Sequence, residues 1–265
     1  MRLIAYLSFV FLFLSCENKT NQQDKETEKK ELAPEVKASD FDALMQKIDL
    51  SLPDLVRVES LIYFKEDGST MSATAYFDQN ELITKIEEEF LDGKTGVQTI
   101  SNFYSNGGVL FASEKTTIKG TGETAYFSDE ISFYTPEGKV TESKERTSAL
   151  EEHIDREVFR KINPTIHSSE NAYKVLRQQG PYATTFQGFV ENGPYHFLIV
   201  GENVQNDGYT ASLSIQEDNP TLRWLREKGK NALGQELEVL FERHTDGMGY
   251  VVSILNKVTL IERKK

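Results

Sequence analysis

Turn-forming residues interrupt the stretch from Val56 to Arg146 at short intervals, and this feature constrains the fold more than any other. The segments between the turns alternate apolar and polar residues, which is typical of strands that bury one face. Such short connections allow only hairpins, so the pattern predicts a meander of about seven antiparallel strands. The turn signals are Asp67-Gly68, Asp78-Gln79-Asn80, Asp92-Gly93, Asn106-Gly107-Gly108, Gly120-Thr121-Gly122 and Pro136-Glu137-Gly138.

A helix is predicted before the meander. Ser39 or Asp40 is suited to cap its N-terminus, and Pro53 is expected to end it. With this helix, the meander makes up a first folded unit over residues 38–147. The apolar positions at helical spacing are Phe41, Leu44, Met45 and Ile48.

Residues 148–180 are predicted to form a helical connector. Two short helices are expected, over Ser148–Ile162 and Ser168–Gln179, separated by Asn163-Pro164. His153 lies among acidic residues in the first of them, but no second histidine stands at ligand spacing on the same helix. A solvated helix face is therefore expected there, and no metal or other cofactor is predicted.

Residues 181–265 show the element order of an OB-fold, which is three strands, a helix and two strands. Asn219-Pro220 marks the helix start, with Asn219 as the cap and Pro220 in the first turn. This stretch resembles the small OB-type domains of bacterial envelope proteins, chiefly in its entry to the fourth strand through Leu233-Gly234. The whole chain is thus expected to be mainly β (α+β), with a meander unit and a C-terminal OB-like five-stranded barrel. The expected strands are 183–191, 195–202 and 209–216, a fourth strand into which residues 233–241 lead, and a fifth at 250–261.

OB-folds bind their ligands over the face of strands two and three. The aromatic side chains that fall there are Tyr195, Phe197 and Tyr209, which form a possible ligand surface; ordinary core or edge packing is the alternative. Residues 182–263 contain 7 basic and 11 acidic residues, and the whole chain carries a net charge of −12. Binding of nucleic acid is not expected, because it requires a basic groove.

The N-terminal residues have the features of an export signal. Arg2 supplies a positive charge, Leu3 to Leu14 form an apolar run too short to span a bilayer, and Ser15 is the small residue before Cys16. Cys16 is the only cysteine of the chain. An ordinary secretory signal with a chance cysteine, or a buried helix, is the alternative.

The segment Phe13-Leu14-Ser15-Cys16 resembles the cleavage motif of bacterial lipoproteins, with Phe13 where leucine is more usual. The resemblance implies that residues 1–15 are removed and that Cys16 is lipidated, so the membrane is a partner. It also implies a location in the cell envelope, with the outer membrane expected. Residues 16–37 are polar and charged and are expected to form a disordered tether.

No catalytic motif is present: there is no His-Glu-x-x-His, phosphate-binding loop or nucleophile elbow, and no catalytic residue is predicted. The expected function is a membrane-anchored binding or scaffolding module whose partner is an envelope protein or a glycan. The alternative is an envelope stress sensor similar to an OB-containing copper-stress lipoprotein, although that family's cysteine pair is missing here. An envelope hydrolase is a third class, expected to show a cleft with carboxylates of divergent pKa.

Overall fold

The computed structural model describes residues 38–120, 126–202, 208–245, 247 and 249–261. The predicted signal peptide, the predicted lipidation site Cys16 and the whole of the predicted tether lie outside the described residues. The helices are α1 Ala38–Ser51, α2 Glu170–Leu176 and α3 Pro220–Lys228, with 3₁₀ turns at Leu52–Asp54, Glu151–Arg156, Gly180–Tyr182 and Gly229–Ala232. The strands are β1 Val56–Glu59, β2 Tyr63–Phe64, β3 Thr70–Phe77, β4 Ile83–Leu91, β5 Gln98–Asn106, β6 Val109–Lys119, β7 Tyr126–Tyr134, β8 Val140–Ser148, β9 Arg160–Ile162, β10 Thr185–Asn192, β11 Tyr195–Gly201, β12 Thr210–Ser214, β13 Leu237–Thr245 and β14 Val251–Leu260.

Within the described residues, fourteen strands join into one mixed sheet, which confirms the mainly β class. Strands β2 to β9 lie side by side in chain order and pair antiparallel. The turn signals predict this order for β2 to β8. Strand β1 pairs with β3 alongside β2, so both short strands share one edge of β3. The meander of the sequence analysis is therefore present, with one more strand than expected before residue 147.

The five strands β10 to β14 follow the pairing order of an OB-like barrel. Strand β12 pairs with β11 on one side and with β14 in parallel on the other, and β14 pairs with β13. The barrel closes where the backbone N–H of Phe186 donates to the carbonyl of Gln235 at 2.8 Å and that of Leu237 donates to Thr184 at 2.9 Å. This order, 1-2-3-5-4 and back to 1, is a Greek-key barrel. The Asn219 side chain caps α3 as predicted, accepting from the N–H of Leu222 at 2.9 Å.

The meander and the barrel share backbone pairing and a core. Phe64 of β2 pairs with Thr210 of β12, which extends the sheet from one part into the other. One apolar cluster contains Met71 and Ile86 of the meander together with Leu198 and Leu213 of the barrel, and residues Val36–Lys265 form one compact unit. The boundaries predicted at 147 and 181 stay a prediction about independent folding.

The opposite face of the meander is covered by α1. Met45 and Ile48 are buried, and the ring of Phe41 stacks on Phe111 and Phe133 with centroids 5.6 and 5.5 Å apart. The predicted apolar stripe is therefore confirmed. The helix begins at Ala38, so the predicted cap Asp40 lies in its first turn, where a carboxylate still favours the positive end of the helix dipole.

The helix expected over residues 148–162 is wrong. This stretch forms the 3₁₀ turn Glu151–Arg156 and then β9, which pairs with β8, and Val158 of the supposed apolar stripe is 80% exposed. The edge of β8 offers unpaired backbone groups, and Arg160 lies directly opposite Glu145. Edge pairing with opposite charges therefore prevails over a weak helical pattern.

Candidate functional site: a cavity beneath the strap

Residues 163–169, called the strap below, cross one face of the meander without regular structure. The backbone N–H of Thr165 donates to the hydroxyl of Ser143 at 2.9 Å. The N–H of His167 donates to the hydroxyl of Tyr134 at 3.1 Å, and its Nδ1 lies 3.0 Å from the hydroxyl of Ser113. Side-chain hydroxyls of the sheet thus satisfy strap groups that no strand pairs.

The strap lies over a row of serines. Ser113, Ser132 and Ser143 are directly opposite one another on β6, β7 and β8, and each is fully buried. The hydroxyls of Ser132 and Ser143 are 2.8 Å apart, as are those of Ser113 and Tyr134. Small side chains let the strap approach the sheet closely, and their hydroxyls replace apolar packing with hydrogen bonds.

A cavity of about 460 Å³ lies between the strap, the meander and the segment that leads into the barrel. Its floor is one cross-strand row, with Glu88 of β4 opposite Ser101 of β5, and Ser101 opposite Lys115 of β6. The strap and α2 form one wall. Apolar side chains complete the lining next to the floor, among them Met71, Phe90 and Phe103, and the remaining lining includes Ile166, Tyr182 and Tyr209.

Glu88 is a carboxylate in an apolar position. Burial raises its pKa to about 7, while the backbone N–H of Ala172 in α2 and the charge of Lys115 act in the opposite direction. Its Oε2 is buried, and no described residue provides it with a hydrogen-bond partner. A buried carboxylate oxygen without a donor is costly, so Glu88 is suited to receive a donor from a bound molecule.

Lys115 and His167 lie at the other end of this floor. No ion pair of Lys115 is found among the described residues, although its charge acts on both Glu88 and His167. Burial lowers the pKa of His167, partly opposed by the carboxylate of Glu130, whose Oε1 lies 3.3 Å from Nε2. His167 is therefore neutral at neutral pH, and Lys115 is the cation of the cavity.

The three predicted ligand-surface residues are not brought together. Tyr195 stands 63% exposed at the β10–β11 hairpin, Phe197 is half-buried, and Tyr209 is buried beside Tyr182 with ring centroids 5.0 Å apart. Tyr195 and Tyr209 lie near opposite ends of β11, about 20 Å apart at about 3.3 Å per residue. Of the three, only Tyr209 lines the cavity.

Sequence reasoning missed the other cavity residues. The sequence does indicate that Glu88 is unusual, because it shares with Ile86 and Phe90 the face of β4 that is directed to the core. Lys115 and His167 had none, since their neighbourhood depends on strand register and on the path of the strap.

A second polar cluster lies on the other face of the sheet, near α1. Lys85 is buried and donates to Asp49 at 2.8 Å, and the hydroxyl of Tyr104 donates to the other oxygen of Asp49 at 3.2 Å. Arg146 contacts Asp129 and Asp155, each at 2.8 Å. These charged groups are paired with one another. The second polar cluster therefore fixes α1 and the 3₁₀ turn Glu151–Arg156 to the sheet.

A smaller cavity of about 280 Å³ is lined by Arg57, Glu59, Phe241 and Arg243. Both guanidinium groups contact the carboxylate of Glu59, at 2.5 Å for Arg57 and 3.4 Å for Arg243. The positive charge there is thus already partly compensated by the chain itself.

Over residues 38–120, 126–202, 208–245, 247 and 249–261, no three His, Cys, Asp or Glu side chains are grouped to hold a metal ion. Among the helices of these same residues, none has the length and apolar character that crossing a membrane requires. Comparisons of the chain with protein-family models, with curated proteins and with solved structures found no match.

Proposed function

We propose that this protein is a lipid-anchored binding protein of the bacterial envelope that holds a small molecule in the strap cavity. The observation that carries the binding function is the floor of that cavity. Among the described residues, the buried Oε2 of Glu88 has no hydrogen-bond partner and Lys115 has no ion pair, and both line the same space. Pockets of this size are typical of small-molecule sites, which combine apolar walls with a few polar groups. The anchor rests on the sequence from Phe13 to Cys16.

The cavity supports this function better than the face of the barrel does. Strand β12 is the third strand of the barrel, and its first residue, Thr210, pairs with Phe64 of the meander. One end of the face that OB-folds use for binding is therefore joined to the rest of the chain. Tyr209, just before β12, is correspondingly buried in the cavity lining.

The anchor is tested by growth with radioactive palmitate. The full-length protein is expected to incorporate label, and the Cys16→Ser variant is expected to incorporate none. Label that persists in Cys16→Ser, or that is absent from the wild type, contradicts the anchor.

The binding function is tested on the full-length protein, extracted in mild detergent from the cells that produce it naturally. Native mass spectrometry is expected to show a bound small mass, which the cavity-filling variant Ser101→Phe loses. Thr147→Phe is the matched control, because Thr147 is an exposed strand residue of β8 away from the cavity. A bound mass retained in Ser101→Phe, or no bound mass at all, overturns the proposed cavity function.

A further inference from the structure

We propose that the ligand of the strap cavity is a free α-amino acid, with its ammonium group on Glu88 and its carboxylate on Lys115. This inference rests on the proposed function and names the ligand class of the same cavity.

The two charges on the floor stand apart. Glu88 and Lys115 belong to strands separated by β5, so their backbones are about 10 Å apart at about 4.8 Å per strand. Ser101 lies between them with its small side chain, and no ion pair joins the two charged groups. Two opposite charges that face one space without contact are completed by a molecule that carries both complementary charges.

The two ends of the cavity differ in a way that orients such a molecule. Tyr182 and Tyr209 line the cavity with tilted rings whose centroids are 5.0 Å apart, and the charge of Glu88 acts on the hydroxyl of Tyr182. Both rings therefore belong to the carboxylate end, together with Phe90. Aromatic rings beside a carboxylate favour an ammonium group. At the other end, Lys115 acts on His167, so a carboxylate is favoured near the strap.

Other ligand classes satisfy only part of the floor. A simple cation is repelled by Lys115, and a simple anion leaves the buried Oε2 of Glu88 without a donor. A divalent metal ion requires several oxygen ligands, whereas the lining contains one carboxylate. An α-amino acid carries both charges a few bonds apart, and about 460 Å³ leaves room for its side chain against Met71 and Phe103.

The experiment measures ligand-induced thermal stabilisation of the full-length protein in detergent at pH 7. Each of the twenty common L-amino acids is tested singly, and the one with the largest effect is compared with its N-acetyl and amide derivatives. We expect at least one free amino acid to raise the unfolding midpoint, and each derivative to bind at least ten-fold more weakly. Equal binding of a derivative, or no shift with any amino acid, overturns the inference.

Two variants locate the contacts. Glu88→Gln and Lys115→Met are each expected to weaken binding at least ten-fold, while Glu89→Gln, an exposed neighbour on the opposite face, is expected to leave it unchanged. Unchanged binding in both cavity variants also overturns the inference. The proposed function has a separate readout: a co-purifying mass that is not an amino acid, lost in Ser101→Phe, retains the cavity function and rejects the amino acid.

Discussion

Glu88 places a carboxylate where the alternation of its strand predicts an apolar residue. Its side chain occupies a core-facing position between Ile86 and Phe90, where an apolar residue is the stable choice. The backbone N–H of Ala172 offsets part of the cost of burying the carboxylate. A carboxylate that remains costly to bury is the feature on which the proposed binding site rests.

The raised pKa of Glu88 predicts a pH-dependent stability. In the folded protein the carboxyl of Glu88 keeps its proton up to about pH 7, whereas the ordinary pKa of a glutamate, which applies to the unfolded chain, is 4.5. The free energy of unfolding therefore falls as pH rises between these two values and then levels off. The interval corresponds to about 3 kcal/mol. In Glu88→Gln this decline is expected to be missing when urea unfolding is measured from pH 4.5 to pH 8. Glu89→Gln should follow the wild type, and parallel curves for Glu88→Gln and the wild type contradict the prediction.

The lowered pKa of His167 predicts that the free energy of unfolding changes with pH in the opposite direction. Its folded pKa lies below the ordinary value of 6.5, so the unfolded chain binds the proton more readily and the folded state loses stability as pH falls below 6.5. The groups that face His167 are Ser113, Glu130 and Lys115. His167→Gln is expected to remove this acid-side loss in the same unfolding series. His153→Gln, outside the strap, serves as the control and should retain it.

At the scale of elements, the strap is held by side-chain hydroxyls and not by a strand partner. The hydroxyl of Tyr134 accepts the N–H of His167 and also contacts Ser113. Tyr134→Phe leaves the N–H of His167 without this acceptor and Ser113 with His167 Nδ1 as its remaining partner, and it is expected to cost about 1 to 3 kcal/mol. Hydrogen exchange of residues 163–169 should accelerate, whereas Tyr126→Phe, at the exposed start of the same strand, should leave it unchanged. Unaltered exchange in Tyr134→Phe would show that other contacts hold the strap.

Gly93 lies where two turns of the meander pack against each other. A Cβ at this position would lie 2.0 Å from the carbonyl oxygen of Asp67, so the β4–β5 turn packs against the β2–β3 turn without room for a side chain. Gly93→Ala is expected to lower the free energy of unfolding by about 1 to 3 kcal/mol, because the backbones must separate. Gly247→Ala meets nothing within 4 Å and should have little effect. Equal stabilities of the two variants in urea unfolding would contradict this account.

The elements that the sequence predicted well are those with local signals. Turn residues such as Asp92-Gly93 mark the hairpins, and Asn219-Pro220 marks α3, because turn and cap preferences depend on neighbouring residues alone. Residues 160–162 were mispredicted because their strand exists only where the edge of β8 is available. The cavity was missed for the same reason, since only the register of three strands places Lys115 and Glu88 on the same floor.

At the scale of the whole molecule, the continuous core predicts that the meander and the barrel unfold together. Ile86 of β4 and Leu213 of β12 belong to the same apolar cluster, and the sheet passes from β2 into β12. A loss of packing in either part should therefore also lower the stability of the other part.

Trp224 makes this coupling measurable, because it is the only tryptophan and lies in α3 of the barrel, partly buried against the shared cluster. Ile86→Ala removes a buried side chain from the meander and is expected to cost about 2 to 5 kcal/mol. The urea transition followed by Trp224 fluorescence should shift by this full amount and coincide with the transition followed by circular dichroism. Leu82→Ala, at an exposed turn of the meander, should shift neither transition. A Trp224 transition that stays in place while the circular dichroism transition moves would show that the barrel folds independently of the meander.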